Sequence, residues 1–401
     1  MSRGRYLFLA GLLGLLPMLL PLSVDGSLAL VPDIAAYFAT DIGSVQLTLT
    51  AVVLGIAVGQ LFYGPVSDRF GRKPVIIFGV ACYALAGTGC ANAPSIEWLI
   101  FFRFLQGFFA CSGIIVARAV IRDMFDREAG ARLFALMMGI HGIMPTLAPG
   151  VSGWMTQTFG WQSVFWVMVG FGVFTGISVW LGLPETSKSR IVSATRPAEL
   201  LANYRTIFRN RAFLSYATCA CFMYGALMAY FAGAPVGFIK YLGLVPIEFG
   251  IAMAVPMVTY VVTQIAVARL APRIGLDLMI RIGVFFAAIA GIGMLAFVQL
   301  DMINIYTLIG PVVLVLGSLA FITPSTTAGA LSPFAEMAGA ASSLLGFIQF
   351  LAAAAATALV GLLNDGTPGP MAAVICVCCL GSLIAYLVLV LPLRRVDQAD
   401  H

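Results

Sequence analysis

The chain has 401 residues, of which 61% are hydrophobic and 10% are charged, and its formal net charge is +5. Soluble domains carry about 25% charged residues, so this composition and a mean hydropathy of +1.01 exclude a soluble globular protein. The basic residues are spread over short connections and form no basic stripe with interleaved aromatics, which argues against nucleic acid as a partner. We expect a lipid bilayer to surround most of the chain.

Twelve long apolar segments follow one another along the sequence. A hydrocarbon core of about 30 Å requires about 20 apolar residues in a helix, and each segment is long enough. The sequence therefore predicts an all-α membrane protein with twelve transmembrane helices. The predicted spans are residues 6–31, 45–66, 74–93, 97–121, 131–154, 161–183, 211–233, 246–269, 279–299, 303–326, 338–363 and 369–392.

The first apolar segment follows two arginines, as the hydrophobic region of a secretory signal does. It is longer than such a region, and residues 23–26 contain no A-x-A cleavage site. Cleavage there would also leave an odd number of spans. We therefore expect an uncleaved first transmembrane helix.

The basic residues fall on alternate connections between the predicted spans. Of the 22 Lys and Arg residues, only Lys240 is predicted on the outer side of the membrane, and Arg103 falls inside a span. The positive-inside rule then predicts an inner-membrane protein with both termini in the cytoplasm.

The longest and most polar connection, residues 184–210, lies near the middle of the chain. It separates residues 1–183 from residues 211–401, with six predicted spans in each part. A weak repeat crosses this divide, because Arg, an apolar residue and Gly occur at residues 69–71 and again at 273–275. Six-helix repeats joined by a cytoplasmic linker are typical of transporters whose substrate site lies between the two halves. We therefore predict two six-helix bundles.

Three ionisable residues are predicted inside apolar spans, where charge is costly and marks a candidate functional site. Asp25 falls in the first span, Arg103 in the fourth and His141 in the fifth. Asp25 and Arg103 are at similar predicted depth and of opposite sign, so we expect Arg103 to be the partner of Asp25. A change in this pairing would let Asp25 take up or release a proton. A static ion pair, and a packing role for His141, are the alternatives.

The first predicted cytoplasmic loop, residues 64–73, combines basic residues with a carboxylate and two glycines. A loop that only faced water would not need Asp68 at a helix end or glycines around a tight reversal. The arrangement predicts that Asp68 forms a salt bridge with Arg72 or faces the positive N-terminus of a neighbouring helix. Such a contact, made in only one conformer, would bias a two-state equilibrium.

Residues 64–73 resemble motif A of the major facilitator superfamily, G-x-L-a-D-r-x-G-r-k-x. Residues 99–110, which include Arg103, resemble motif B, whose arginine is implicated in proton coupling. Residues 148–153 resemble the antiporter motif C, and residues 183–186 match the usual end of the sixth span. The glycines and prolines of the fifth span also have an ordinary role in close helix packing.

Four further segments are similar to the bicyclomycin/chloramphenicol resistance (Bcr/CflA) branch of the drug:proton antiporters. They are residues 46–50, 59–65, 118–123 and 339–349. The first helix departs from the pattern D-M-Y-L-P of this branch. Asp25 is kept, but Ser27 and Ala29 stand where the branch has Tyr and Pro.

The resemblance implies a proton-coupled antiporter that exports small organic molecules, drugs among them, by alternating access. It implies no enzyme activity and no cofactor, and we expect a monomer. The residues expected to act fall into four groups. They are Asp25, Arg103 and His141 for proton coupling or substrate binding; Gly64, Asp68, Arg69, Gly71 and Arg72 for gating; Pro149, Gly150 and Gly153 of motif C; and Tyr224, Tyr230, Met257 and Gln349, which are of types that suit an apolar cavity.

Two alternatives to this function exist. An exporter or importer of an amino acid, sugar or nucleoside-like metabolite would share every motif. An intramembrane enzyme or a passive channel would need a convergent catalytic set or a polar lining, and too few ionisable residues fall inside the spans for either. The cluster Cys376, Cys378 and Cys379 lacks the loop context and the histidines of a metal site, so we expect no metal there.

Overall fold

The computed structural model describes residues 3–125, 129–130, 133–134, 136–137, 143–187, 195–334 and 337–393. Throughout these ranges the regular secondary structure is helical. Eleven segments of the described chain are long and apolar enough to cross a membrane, which confirms the all-α class. The predicted fifth span, residues 131–154, lies partly outside the described residues.

The helices of the first half of the chain are named here in sequence order. They are α1 (Arg3–Val24), α2 (Val31–Tyr37), α3 (Ile42–Phe70), α4 (Arg72–Ala91), α5 (Ile96–Met124), α6 (Ile143–Phe159), α7 (Gln162–Gly182) and α8 (Pro197–Phe208). A 3-10 helix, Asp25–Leu30, joins α1 to α2. The first span therefore continues to Tyr37, six residues beyond its predicted end, because the polar Asp33 is accommodated within a helix.

The helices of the second half follow. They are α9 (Arg211–Ala234), α10 (Pro246–Gln299), α11 (Ile305–Leu331), α12 (Ala338–Leu362) and α13 (Gly369–Ala385), with π-helical turns at Pro235–Tyr241 and Tyr386–Val390. Helix α10 contains two spans, because its backbone leaves the helical conformation at Gly275, where φ is 78° and ψ is 160°.

The chain divides into two compact units. The first comprises Met1–Thr40 and Thr48–Ala202, and the second comprises Asp41–Leu47 and Asn203–His401. The division at Ala202 falls inside the connection predicted as a linker. The limits 183 and 211 of the two predicted bundles stay a prediction.

The first unit is held together by close helix packing. Helix α4 packs against α5 and α7, and α1 packs against α5. A side chain at Gly55 of α3 would collide with the backbone of α5 at Phe104, and one at Gly107 of α5 would collide with the carbonyl of Val52. Small residues at a helix crossing allow this approach in a membrane, where apolar burial gives little driving force.

The second unit packs α10 against α11, and α9 against α12 and α13. All eight cysteines are free thiols, and seven of them are buried. The thiol of Cys219 lies 3.2 Å from the hydroxyl of Ser382, and the carbonyl of Cys219 accepts a hydrogen bond from the same hydroxyl. A serine in this apolar interior is thus satisfied by its neighbours on the facing helix.

Candidate functional site: a buried arginine and a broken first span

The first span is broken at the acidic residue that the sequence singled out. Helix α1 ends at Val24, all six residues of the turn Asp25–Leu30 are buried, and Pro32 lies in the first turn of α2. Glycine at position 26 and proline at position 32 both weaken a continuous α-helix in this stretch. A break at membrane depth leaves backbone groups that must bond to other parts of the protein.

Arg103 of α5 supplies such bonds. Its side chain is fully buried, and its Nη2 donates to the carbonyl of Ser23 and to the hydroxyl of Ser27, each at 2.7 Å. Its Nη1 donates to Oε1 of Gln106 at 2.7 Å. The guanidinium carbon also lies 5.6 Å from the centre of the Phe165 ring, a distance at which the ring face stabilises a cation.

The expected ion pair between Arg103 and Asp25 is absent from the salt bridges of the described residues, so this prediction is corrected. Arg103 bonds to residues two positions before and two positions after Asp25. Two steps along a 3-10 or an α-helix turn the chain by more than half a revolution. The guanidinium therefore contacts the side of the turn that Asp25 does not occupy.

Asp25 is buried, with 3% of its surface exposed, and its Oδ1 has no hydrogen-bond partner among the described residues. The turn that carries it packs against α6, and the described residues of that helix, Ile143–Phe159, include no ionisable side chain. His141, the third predicted residue, lies outside the described residues. A buried carboxylate oxygen without a partner is costly, and such a group is expected where a ligand or a proton is to be received.

Arg72 forms the centre of a second cluster, at the turn between α3 and α4. Its Nη2 lies 2.6 Å from Oδ1 of Asp68, which confirms the predicted contact between these two residues. Its Nε donates to Asp123 at 3.0 Å, and its Nη1 donates to the hydroxyl of Ser67 at 2.6 Å. One guanidinium thus joins the ends of three helices, with its side chain only 6% exposed.

Gly71 and Glu185 complete this cluster. Gly71 has φ 102°, in the region that favours glycine, and this reversal starts α4. Oε1 of Glu185 accepts the N–H of Arg72 at 3.0 Å, and Oε2 accepts the N–H of Lys73 at 3.3 Å. Partial burial works against ionisation of Glu185, but four backbone N–H groups outweigh it and lower the pKa of this carboxyl. Glu185 therefore caps the positive N-terminus of α4.

The remaining motif residues are placed as follows. Within α3, the carbonyl of Gly64 accepts a hydrogen bond from Ser67 at 2.9 Å, and Arg69 donates to Thr195. Pro149, Gly150 and Gly153 of motif C lie on α6. Their roles in gating and in antiport stay predictions.

The four predicted cavity residues all belong to the second unit. Tyr230 is fully buried and its hydroxyl donates to the sulfur of Met253 at 3.1 Å, a contact the sequence did not indicate. The ring of Tyr224 lies 5.8 Å from that of Phe350. Met257 and Gln349 are buried, and Nε2 of Gln349 has no hydrogen-bond partner within the residues that the structure describes. Their contact with a substrate stays a prediction.

An all-helical chain with many spans, two compact units and buried charge inside a broken span defines a polytopic membrane transporter. Residues 13–357 match the family model of the Major Facilitator Superfamily, and the chain belongs to this superfamily. It is a family of transporters, not of enzymes.

Curated relatives cover almost the whole chain. The Bicyclomycin resistance protein homolog of Haemophilus influenzae is 29% identical over 385 residues, covering 96% of each chain. The Multidrug resistance protein MdtL of Klebsiella pneumoniae (strain 342) is 30% identical, also with 96% of each covered. An uncharacterized MFS-type transporter, YdgK of Bacillus subtilis (strain 168), is 31% identical over 95% of this chain and 94% of its own. These relatives confirm the resemblance to the Bcr/CflA branch of the drug:proton antiporters.

Solved structures show the same fold. A D-xylose-proton symporter superposes with a TM-score of 0.77 over 96% of this chain and 98% of its own, at 14% identity. A partially occluded, inward-open conformation of the xylose transporter XylE from E. coli superposes with a TM-score of 0.75 at 12% identity. At these identities the likeness concerns the fold alone.

Proposed function

We propose that the protein exports small organic molecules, drugs among them, across the inner membrane in exchange for protons. The observation that supports the proposal most directly is Asp25, a buried carboxylate at the break of a membrane span with an oxygen that has no partner in the described part of the chain. The names of two relatives, a bicyclomycin resistance protein homolog and a multidrug resistance protein, support drugs as the substrate class.

Exchange follows when one group holds either a proton or a substrate, but not both. A carboxylate buried in a membrane segment is stable when a proton or a bound cation neutralises it, and costly when it is bare. Within the described ranges Oδ1 of Asp25 has no donor, so it can accept either ligand. Alternating access follows if the protonated and the substrate-bound forms favour different conformers.

The orientation is part of the proposal. All Lys and Arg residues except Lys240 and Arg103 fall on the termini, on connections or close to span ends that the positive-inside rule assigns to the cytoplasm. Both termini, motif A and its Glu185 cap would then be cytoplasmic, and Lys240 would be periplasmic.

A metabolite is the second candidate substrate. Ser27 and Ala29 replace the Tyr and Pro of the branch pattern next to Asp25, and a substrate that touched those side chains would differ from the drugs of the branch. A growth screen of an efflux-deficient host against many drugs and metabolites separates the two candidates.

The proposal is tested with a substrate found in that screen and protein reconstituted in liposomes. An imposed pH gradient should drive transport by the wild type and not by Asp25→Asn, which keeps the shape of the side chain and removes its charge. Asp33→Asn is the matched control, because it removes the same charge from an exposed position of the same span and should keep gradient-driven transport. Full gradient-driven transport by Asp25→Asn refutes the assignment.

A further inference from the structure

Ser27 connects Arg103 to the turn that carries Asp25. The Ser27 hydroxyl accepts from Nη2 of Arg103 at 2.7 Å. It donates to the carbonyl of Val24, three residues back, at 2.9 Å, with a longer contact to the carbonyl of Ser23 at 3.2 Å. Ser27 is buried and occupies the position at which the branch pattern has tyrosine. A side-chain hydroxyl that donates to the backbone carbonyl three residues earlier competes with the regular backbone hydrogen bonds of an α-helix.

Arg103 acts on the backbone of the same turn. In a continuous α-helix the carbonyl of Ser23 would accept the N–H of Ser27. Here that carbonyl accepts Nη2 of Arg103 at 2.7 Å and, at the longer distance of 3.2 Å, the hydroxyl of Ser27. The same nitrogen therefore supplies a donor to the carbonyl at the break and fixes the hydroxyl of Ser27, so both bonds favour the broken form of the span over the continuous one.

We propose that the bond between Ser27 and Arg103 is a latch that holds residues 25–30 in the 3-10 winding, and that opening this latch lets the segment rewind as α-helix. Rewinding would change both the length of the first span and the relative rotation of its two parts. A 3-10 helix rises about 2.0 Å and turns about 120° per residue, against about 1.5 Å and 100° for an α-helix. Over the six residues of the turn, rewinding shortens the span by about 3 Å and rotates its two parts by about 120° relative to each other.

Rewinding would move Asp25 relative to α2, which gives Asp25 two positions within one span. The role of the latch in transport rests on the proposed function, because the position of Asp25 matters for transport only if Asp25 carries the proton. Ser27 is then a positioning residue. Its role is to set where the carboxylate of Asp25 points.

The winding is tested directly by hydrogen–deuterium exchange of the wild-type protein in lipid nanodiscs, followed in peptides that cover residues 23–30. Ser27→Ala removes a hydrogen bond from a charged donor, so the segment should change between the two windings more often. Its amides lose their partners during each change, so backbone exchange of this segment should rise about tenfold. Ser27→Thr keeps a hydroxyl and should restore the wild-type rate. Ser23→Ala is the matched control, because the Ser23 hydroxyl bonds to Leu19 and Tyr83 and not to Arg103.

The transport assay supplies the second measurement. With the substrate of the proposed function, Ser27→Ala should lower the maximal rate about tenfold and change KM by less than about twofold, whereas Ser27→Thr should transport as the wild type does. Unchanged exchange of residues 23–30 in Ser27→Ala would overturn the latch whatever transport shows. Faster exchange with a normal rate would overturn its part in the cycle. Gradient-driven transport by Asp25→Asn would overturn the proposed function. The exchange measurement would still test whether the bond between Ser27 and Arg103 holds the 3-10 winding.

Discussion

Gly71 and Gly275 have nearly the same backbone conformation, with φ 102° and ψ 159° at the first and φ 78° and ψ 160° at the second. Each follows an arginine and an apolar residue, and each lies where one apolar helix ends and the next begins. The two positions belong to different units. The weak sequence repeat at residues 69–71 and 273–275 is therefore a repeat of local backbone geometry.

The surroundings of these two glycines predict that substitution by alanine lowers the melting temperature by different amounts at the two positions. At both positions an alanine has to adopt a positive φ with ψ near 160°, a region occupied almost only by glycine, which costs about 1–3 kcal/mol. At Gly71 the added carbon would also lie 2.6 Å from Oε2 of Glu185, whereas at Gly275 no atom of the described residues lies within 4 Å. Gly71→Ala should lower the melting temperature more than Gly275→Ala. The buried cysteines allow melting to be followed in detergent with a thiol-reactive dye, and equal losses would contradict the Glu185 contact.

The spans were predictable because a segment inside a bilayer has to satisfy its backbone internally and be apolar, and hydropathy reports both demands. Hydropathy does not report the type of helical winding. Gly26 and Pro32 weaken a continuous α-helix, but membrane helices tolerate both residue types, so the sequence did not indicate the 3-10 turn. The resemblance to motif A located Asp68, Gly71 and Arg72 because that motif is local.

The partners of the buried charges were not predictable in the same way. Pairing Arg103 with Asp25 from equal depth ignored which side of the helix each residue occupies, and the structure gives Arg103 the carbonyl of Ser23 instead. Glu185 reaches the backbone of Arg72 across 113 residues of sequence, and only packing brings the two together. The match of residues 183–186 to the end of the sixth span was the one available signal for Glu185.

The lowered pKa of Glu185 predicts how the stability of the cluster depends on pH. A carboxylate whose pKa is lower in the folded state stabilises that state above its unfolded pKa, about 4.3, and the contribution disappears as pH falls through the folded value. Glu185→Gln should therefore melt a few degrees below the wild type at pH 7. The difference should shrink progressively below about pH 4. Melting curves between pH 3 and pH 7 measure it, and a difference independent of pH would show that charge is not its cause.

Asp68→Asn should slow transport and leave substrate binding nearly unchanged. Asp68 contacts Arg72 at the end of α3, within a cluster that joins helix ends and contains none of the predicted cavity residues. Removing its charge therefore alters the balance of conformers and not the binding contacts. Binding to purified protein and turnover in liposomes are measured side by side. A change in affinity with normal turnover contradicts this role.

The proposed orientation predicts that residues 187 and 240 face opposite sides of the membrane. Single cysteines at Ser187 and Lys240, introduced into a cysteine-free variant, should react with impermeant maleimide from the cytoplasmic and the periplasmic side respectively. The cysteine-free variant is required because the chain has eight thiols of its own. Reaction of both positions from one side would refute the twelve-span topology.

The hydrogen bonds of Arg103 predict that the shape of its guanidinium matters more for stability than its charge. One planar group reaches Gln106 through Nη1 and both Ser23 and Ser27 through Nη2. A lysine ammonium is a compact point charge on a flexible stem and lacks this fixed fork. Arg103→Lys keeps the charge but should lose at least one of the three bonds, leaving a buried polar group unsatisfied at a cost of about 1–3 kcal/mol.

Arg103→Ala should be more damaging than Arg103→Lys. It leaves the carbonyl of Ser23 and Oε1 of Gln106 without their donor and opens a cavity under the ring of Phe165. Melting temperatures should therefore fall in the order wild type, Arg103→Lys, Arg103→Ala. The exposed Arg122 of the same helix is the control, and Arg122→Lys should melt with the wild type. A wild-type melting temperature for Arg103→Lys would show that a point charge is enough and that the fork of bonds to the first span is not what holds the break.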